Sequence, residues 1–139
     1  MHRAKRSITV TKSPTRDKVF NIIIPAAGIG SRMVSYGVKS LIKIHNETII
    51  ERQLRLIKHV FNKYQIILVT GFQSSKLMNA TPDNIIKIEN ENYKDSNVLR
   101  SIGMGLRACT SNNVIILYGD LIFNTETITA PFDRDSMAI

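Results

Sequence analysis

The segment Pro25-Ala26-Ala27-Gly28-Ile29-Gly30-Ser31-Arg32-Met33 directly follows a run of branched apolar residues. Alanine and glycine let a backbone come close to a ligand, and successive amide groups can cradle phosphate oxygens. Arg32 adds a planar guanidinium fork suited to phosphate, and Lys39, seven positions later, adds a compact point charge. Two cations beside a glycine loop fit a triphosphate or a departing pyrophosphate. Taken singly, the same residues read as a tight strand exit and a solvated lysine. Two phosphate motifs fail here. A P-loop needs lysine after its last glycine, but Val38 follows Gly37. The dinucleotide fingerprint needs a third glycine at Met33 and an acid closing the second strand, whereas Glu47 and Glu51 fall at a helix start.

Further along, Gly119-Asp120 closes the apolar run Val114–Tyr118 and puts a carboxylate at a strand exit. Mg²⁺ commonly binds through one or two carboxylates, substrate phosphates and waters. Beside a phosphate loop Asp120 is therefore a candidate metal ligand; alone it reads as the cap of the next turn. The polar stretch Asn92-Tyr93-Lys94-Asp95-Ser96-Asn97 reads first as a loop that caps a helix. His2, His45 and His59 are scattered and Cys109 is the sole cysteine, so neither a zinc cluster nor a Cys–His pair is on offer. Chemistry by positioning and charge neutralisation fits this inventory better than a covalent nucleophile.

The elements that must hold these groups follow from periodicity. Lys18–Pro25 reads as a buried strand and Leu41–Ile44 as a short second one. Thr48-x-x-Glu51 has capping-box spacing, which starts a helix at Ile49 with Ile50, Leu54, Ile57 and Phe61 as its buried stripe. Ile66–Thr70 is a continuous apolar strand closed by Gly71, and Ser74 caps a short helix through Met78. Ile85–Ile88 is strand-like. Ser96 or Asn97 caps a helix whose core face is Leu99, Ile102 and Leu106, and Val114–Tyr118 forms a last buried strand. Apolar strands alternating with helices indicate an α/β fold with a mostly parallel sheet covered on both faces. Such sheets bind ligands beyond the carboxyl ends of their strands. That rule selects the glycine loop, the Gly71-Phe72 turn and the Gly119-Asp120 turn.

With 139 residues, 43% apolar and 22% charged, the chain has ordinary globular composition. No run reaches the ~18 apolar residues of a membrane-spanning helix. Five of the eight surplus positive charges sit in residues 1–18, where Arg3, Lys5, Arg6, Lys12, Arg16 and Lys18 face only Asp17. Those residues read as a basic, solvated leader, with a nucleic-acid arm or an organelle transit peptide as lesser alternatives. No aromatic residue interleaves with the leader's charge before Phe20, which argues against nucleic acid. One cysteine and no secretory h-region fit a reducing compartment, and the expected location is the cytoplasm.

Ala26-Ala27-Gly28-Ile29-Gly30-Ser31-Arg32-Met33, with Lys39 beyond it, resembles the signature of the sugar-nucleotide pyrophosphorylases and related nucleotidyltransferases, MobA-like proteins among them. Val38 stands where that family usually has proline. The stretch from Asn92 to Ser101 resembles a segment of the phosphocholine and aminoethylphosphonate cytidylyltransferase branch, and the Gln-Leu-Gly-Thr segment of the uridylyl branch is absent. The resemblance covers about residues 19–139 and implies a Rossmann-like three-layer sandwich, the nucleotide-diphospho-sugar transferase fold. It also implies roles. Ala26, Ala27, Gly28, Gly30 and Ser31 would hold the nucleotide, Gly71 would lie near its base, and Asn97 and Ser101 would face base or ribose. Arg32 and Lys39 would act on the phosphates, and Asp120 would hold Mg²⁺.

The expected activity is transfer of a nucleoside monophosphate from a triphosphate, CTP favoured, to phosphocholine or a sugar-1-phosphate, with release of pyrophosphate. Family members continue well past this length, so the fold is expected to be truncated at its C-terminal end, where Asp133 and Asp135 are no firm substitutes for a second metal-binding acid. The alternative is a non-catalytic nucleotide-binding or regulatory module, or a half-protein completed by a second chain or a further copy of itself.

Overall fold

A computed structural model describes residues 18–29 and 37–128. The basic leader up to residue 17, the loop residues Gly30, Ser31, Arg32 and Met33, and Asp133 and Asp135 lie outside the described residues.

The most apolar stretch of the chain becomes the centre of the sheet. Strand β1 (Phe20–Ala26) is buried along almost its whole length. It pairs in parallel with β4 (Tyr64–Thr70) on one side and with β6 (Asn113–Ile116) on the other. Strand β5 (Ile86–Glu89) adds in parallel to β4, giving the order β5-β4-β1-β6. Side chains alternate across this sheet. Phe20, Ile22, Ile24 and Leu68 join one core with Ile50, Leu56, Ile57, Phe61 and Leu77. Ile23, Ile67 and Val69 form a second, smaller core with Ala108 and Cys109 on the opposite face. Each fully buried isoleucine contributes about 1.5–3 kcal/mol of burial. The one polar side chain within β1, Asn21, is fully buried and satisfied: it donates to Ser111 Oγ at 2.6 Å and accepts from Thr110 N at 3.3 Å.

Helix α1 (Ile49–Val60) carries the expected capping box. Thr48 Oγ1 accepts from Glu51 N at 3.2 Å and Glu51 Oε2 accepts from Thr48 N at 2.8 Å. Its buried face includes Ile50 and Ile57 as expected, with Gln53 and Leu56 in place of a fully buried Leu54. Helix α2 (Ser74–Asn79) packs Leu77 into the same core. Helix α3 (Val98–Arg107) covers the other face, and a single turn, α4 (Thr125–Ile128), follows β6.

Several expectations need correction. The last strand is not buried: β6 is the half-buried edge of the sheet, with Ile116 39% and Tyr118 42% exposed. The stretch Leu41–Ile44 does not add a strand to the main sheet. Lys39–Leu41 is a 3₁₀ turn, and β2 (Lys43–Ile44) pairs antiparallel with β3 (Glu47–Thr48) in a separate hairpin. Its two turn residues, His45 and Asn46, both have positive φ (52° and 68°), as a tight hairpin of this hand requires. The core face of α3 is also different from the one expected. Leu99 is 68% exposed and Leu106 47% exposed, while Ser101 and Gly105 are buried. A Cβ on Gly105 would stand 2.6 Å from Ile23 Cγ2, so α3 lies directly against β1, where only a small residue fits.

Candidate functional site

The carboxyl ends of the parallel strands open into one cleft. Its wall includes Ala26, Ala27 and Gly28 after β1, Lys39 and Ser40 of the 3₁₀ turn, and Tyr118 and Asp120 after β6. The opposite wall is Asn90, Tyr93, Ser96, Asn97, Val98 and Ser101.

Glycines decide how closely these walls meet. A Cβ on Gly119 would lie 2.8 Å from both Ala26 Cβ and Ser40 Oγ. The exits of β6 and β1 and the 3₁₀ turn thus converge on that one glycine. The neighbours of the converging residues are Lys39 and Asp120, and their charged groups come within 3.5 Å (Nζ to Oδ2), both partly exposed. Among the described residues, by contrast, none would come within 4 Å of a Cβ on Gly28, which lines the cleft. Gly71 does not line the cleft. It lies beneath it, where a Cβ would meet Ala27 O at 2.7 Å and Tyr93 Cβ at 2.7 Å, and Phe72 N bonds Ala27 O at 3.0 Å. Its part is to let the β1 exit settle on the β4 exit. Phe72 is half-buried against the larger core, its ring 6.3 Å from that of Tyr93.

Two buried polar residues without a place in the sequence reading hold the walls. Gln53, on the buried face of α1, donates at 2.9 Å to the carbonyls of Tyr118 and Leu121, which flank Asp120. Arg52 reaches Phe123 O at 3.3 Å. Gly119 N bonds Pro25 O at 3.2 Å, so the Asp120 turn is tied from both sides. On the far wall Asn90, 2% exposed, donates to Ser96 Oγ at 3.0 Å and Ser101 Oγ at 3.2 Å. Asn97 is the N-cap of α3, its Oδ1 accepting from Arg100 N at 3.3 Å. Gln53 was legible: it falls between Ile50 and Ile57 at core spacing, where an uncharged polar residue needs buried partners.

Of the residues predicted from sequence, the structure therefore brings Ala26, Ala27, Gly28, Lys39, Asn97, Ser101 and Asp120 to a single cleft. Among the described residues no cluster of three or more His, Cys, Asp or Glu forms a metal cage, and no helix is long and apolar enough to cross a membrane. Burial pushes the Cys109 thiol above its ordinary value of 9.0, and Cys109 does not line the cleft.

A sheet of parallel strands between helical layers, with a glycine-edged cleft and a lysine–aspartate pair at its carboxyl end, places the chain among the α/β domains whose ligand sites lie beyond the carboxyl ends of the strands. The sequence model of the MobA-like NTP transferase domain matches residues 22–134, and the chain belongs to that family. Over 107 residues it is 29% identical to the bifunctional protein GlmU of Buchnera aphidicola subsp. Schizaphis graminum, covering 75% of this chain and 22% of that protein. Its fold is similar to the CTP:phosphocholine cytidylyltransferase of Streptococcus pneumoniae, with a TM-score of 0.62 and 23% identity over 74% of this chain and 45% of that one. A nucleotidyl transferase from Methanothermobacter thermautotroptrophicus has a TM-score of 0.59 and 22% identity, covering 75% and 51%. The chain thus spans about half the length of these solved relatives.

Proposed function

We propose that this chain transfers a nucleoside monophosphate from a nucleoside triphosphate, CTP favoured, to a phosphorylated acceptor such as phosphocholine or a sugar-1-phosphate. The observation that carries the reading is the single cleft shared by the Ala26–Gly28 strand exit, the Lys39–Asp120 pair and the polar wall from Asn90 to Ser101. Membership of the NTP transferase family supports it.

An oxygen of the acceptor phosphate attacks the α-phosphorus in line. The new P–O bond forms as the bond from that phosphorus to the β-phosphate bridging oxygen breaks, and pyrophosphate leaves with the electron pair. Backbone amides around Ala27 and Gly28 hold phosphate oxygens, with Gly30 and Ser31 extending the loop. Lys39 neutralises charge on the α-phosphate and the incoming acceptor, and Arg32 stabilises the departing pyrophosphate. Such preorganised charge is commonly worth about 10²–10³-fold in rate per group. Asp120 supplies one carboxylate, open to the cleft, which fits a divalent cation shared with substrate phosphates and does not fit an all-protein cage. Bound there, Mg²⁺ would draw charge from the phosphates and orient them. A cytoplasmic location accompanies this reading, supported by the single cysteine.

The test is pyrophosphate release measured across CTP, UTP, GTP and ATP with phosphocholine and sugar-1-phosphates. Release with one nucleotide–acceptor pair supports the reading. A second reading, a nucleotide-binding module that acts with a second polypeptide, is favoured by apolar exposure at the edge strand β6 and just after it, where Ile116, Leu121 and Ile122 are all exposed. Nucleotide binding with no release under any acceptor selects that alternative.

A further inference from the structure

Helix α3 uses one side, Ser101 and Gly105, to sit on the sheet. At about 3.6 residues per turn, Leu99, Ile102, Gly103 and Leu106 fall together on a second stripe turned away from that side. Their spacing, three, four and seven residues on from Leu99, is the pattern of a helix side that packs against something. Within the described chain it does not: Leu99 is 68% and Leu106 47% exposed. None of the four lines the cleft.

Gly103 marks this stripe as built for close approach. An interior glycine weakens a helix relative to alanine, so its presence needs a reason. Gly105 has one in Ile23. Gly103 has none inside the chain. It lies in regular helix, and among the described residues nothing beyond the helix's own turns would come within 4 Å of its Cβ. A missing side chain amid an apolar stripe lets a second helix axis come near, because interaxial distance follows the side chains at the contact.

Charge selects the occupant. Arg100 and Arg107, two turns apart and both exposed, run along the Gly103 flank of the stripe. The helix contains no acid, and neither guanidinium meets a carboxylate among the described residues. In an antiparallel two-fold pair of α3 this flank would face itself, arginine against arginine, so a second copy is disfavoured. We propose that the outer face of α3 is a docking surface for an amphipathic helix of another polypeptide, one with an apolar ridge for Leu99, Ile102, Gly103 and Leu106 and acidic residues for Arg100 and Arg107. The assignment does not depend on the reaction that the cleft performs.

The probe is a stapled synthetic helix of about 20 residues, with leucine and alanine along its seam and glutamate on its flanks. A second peptide carries lysine in place of every glutamate. Fluorescence anisotropy with the full chain is expected to show the glutamate peptide binding at least about tenfold more tightly than the lysine peptide. The double variant Arg100→Glu/Arg107→Glu is expected to reverse that preference. Leu99→Gln and Leu106→Gln, both at exposed positions, are expected to weaken the glutamate peptide at least about tenfold with the thermal midpoint little changed. Gly103→Ala separates docking from folding: the midpoint should rise while the peptide binds more weakly. Failure of both peptides to bind, equal affinity for the two, or unchanged affinity in the leucine variants would overturn the assignment. So would a fall in midpoint on Gly103→Ala, or a dimer in sedimentation that Leu99→Gln dissolves, which would give the stripe to a second copy.

Discussion

Lys39 Nζ stands 3.5 Å from Asp120 Oδ2, joining the 3₁₀ turn to the exit of β6 across the mouth of the cleft. The side chains are 33% and 46% exposed, and ion pairs so open to water contribute little to stability. Their proximity makes sense as chemistry instead. In the proposed reaction each would serve as the other's counter-ion until phosphates reached the lysine and a cation reached the carboxylate. Lys39→Ala is expected to lower turnover about 10²–10³-fold while nucleotide affinity changes much less. Asp120→Asn is expected to abolish Mg²⁺-dependent turnover with the thermal midpoint unchanged. Single-turnover rates, calorimetric affinities and melting curves separate these effects. Full turnover in either variant removes that residue from the reaction.

Gly119 is what allows the pair to form. A methyl group there would meet Ala26 Cβ and Ser40 Oγ, each at 2.8 Å, and the β6 exit would have to lift off the 3₁₀ turn. Gly119→Ala is therefore expected to impair turnover as strongly as Lys39→Ala, and to cost about 1–3 kcal/mol of stability through overpacking. Denaturant unfolding and the pyrophosphate assay together check this. A stable, fully active Gly119→Ala variant would show that the turn has slack the geometry does not reveal.

Gln53 fixes the same turn from below, through the carbonyls on either side of Asp120. Gln53→Leu keeps the apolar volume but leaves two carbonyls without their donor, a loss of about 1–3 kcal/mol. Its effect on activity has a distinct signature: the Mg²⁺ concentration for half-maximal rate should rise, with nucleotide discrimination unchanged. Gln53→Glu, whose neutral form can still donate, is expected to recover part of the loss as pH falls. A Gln53→Leu variant that only melts earlier, with its metal requirement unmoved, would reduce Gln53 to a structural role.

What was readable in the sequence was what hydrophobic pattern and turn chemistry encode. The buried run of β1 and the Thr48–Glu51 capping box stand where expected, because both are written in consecutive or near-neighbour residues. The face of α3 was not readable that way. Its leucines mark an apolar stripe, yet the helix buries Ser101 and Gly105, since close approach to Ile23 rewards small size over hydrophobicity. Of the candidate site, Lys39 and Asp120 stood out by loop position and charge, but each alone read as a solvated lysine or a turn cap, and the family resemblance singled them out. Asn90 did not stand out, because its meaning lies in hydroxyls 6 and 11 residues away that only the fold brings together.

Glu47 and Arg55 give a pH-dependent handle away from the cleft. The guanidinium fork meets the carboxylate at 2.7 and 2.9 Å and holds the Glu47 carboxyl below its ordinary 4.5. A depressed folded-state value means the contribution is present above the unfolded value and fades as pH falls through the folded one. The pair is exposed, so the effect on melting is expected to be small. NMR titration should find Glu47 ionising below 4.5, and Arg55→Ala should return it to the ordinary range. An unchanged titration in that variant would assign the shift to another cause.

The tight seat of α3 on β1 gives a prediction whose sign is set by two opposed effects. Replacing an interior helical glycine with alanine normally stabilises by about 1 kcal/mol. At Gly105 the added methyl would stand 2.6 Å from Ile23 Cγ2, and Ile23 is fully buried in the central strand, with little room to move. Overpacking of this kind costs about 1–3 kcal/mol, so Gly105→Ala should be net destabilising. Because α3 carries Ser101, its displacement should also loosen nucleotide binding. Ile23→Ala alone leaves a void and is destabilising in its turn. The double variant should recover part of the loss, since the new methyl enters the space vacated by the isoleucine. In the denaturant-unfolding cycle the double variant is expected to lose less stability than the sum of the two single losses. Strict additivity of the two variants would mean that the helix shifts away from β1 to accept the methyl.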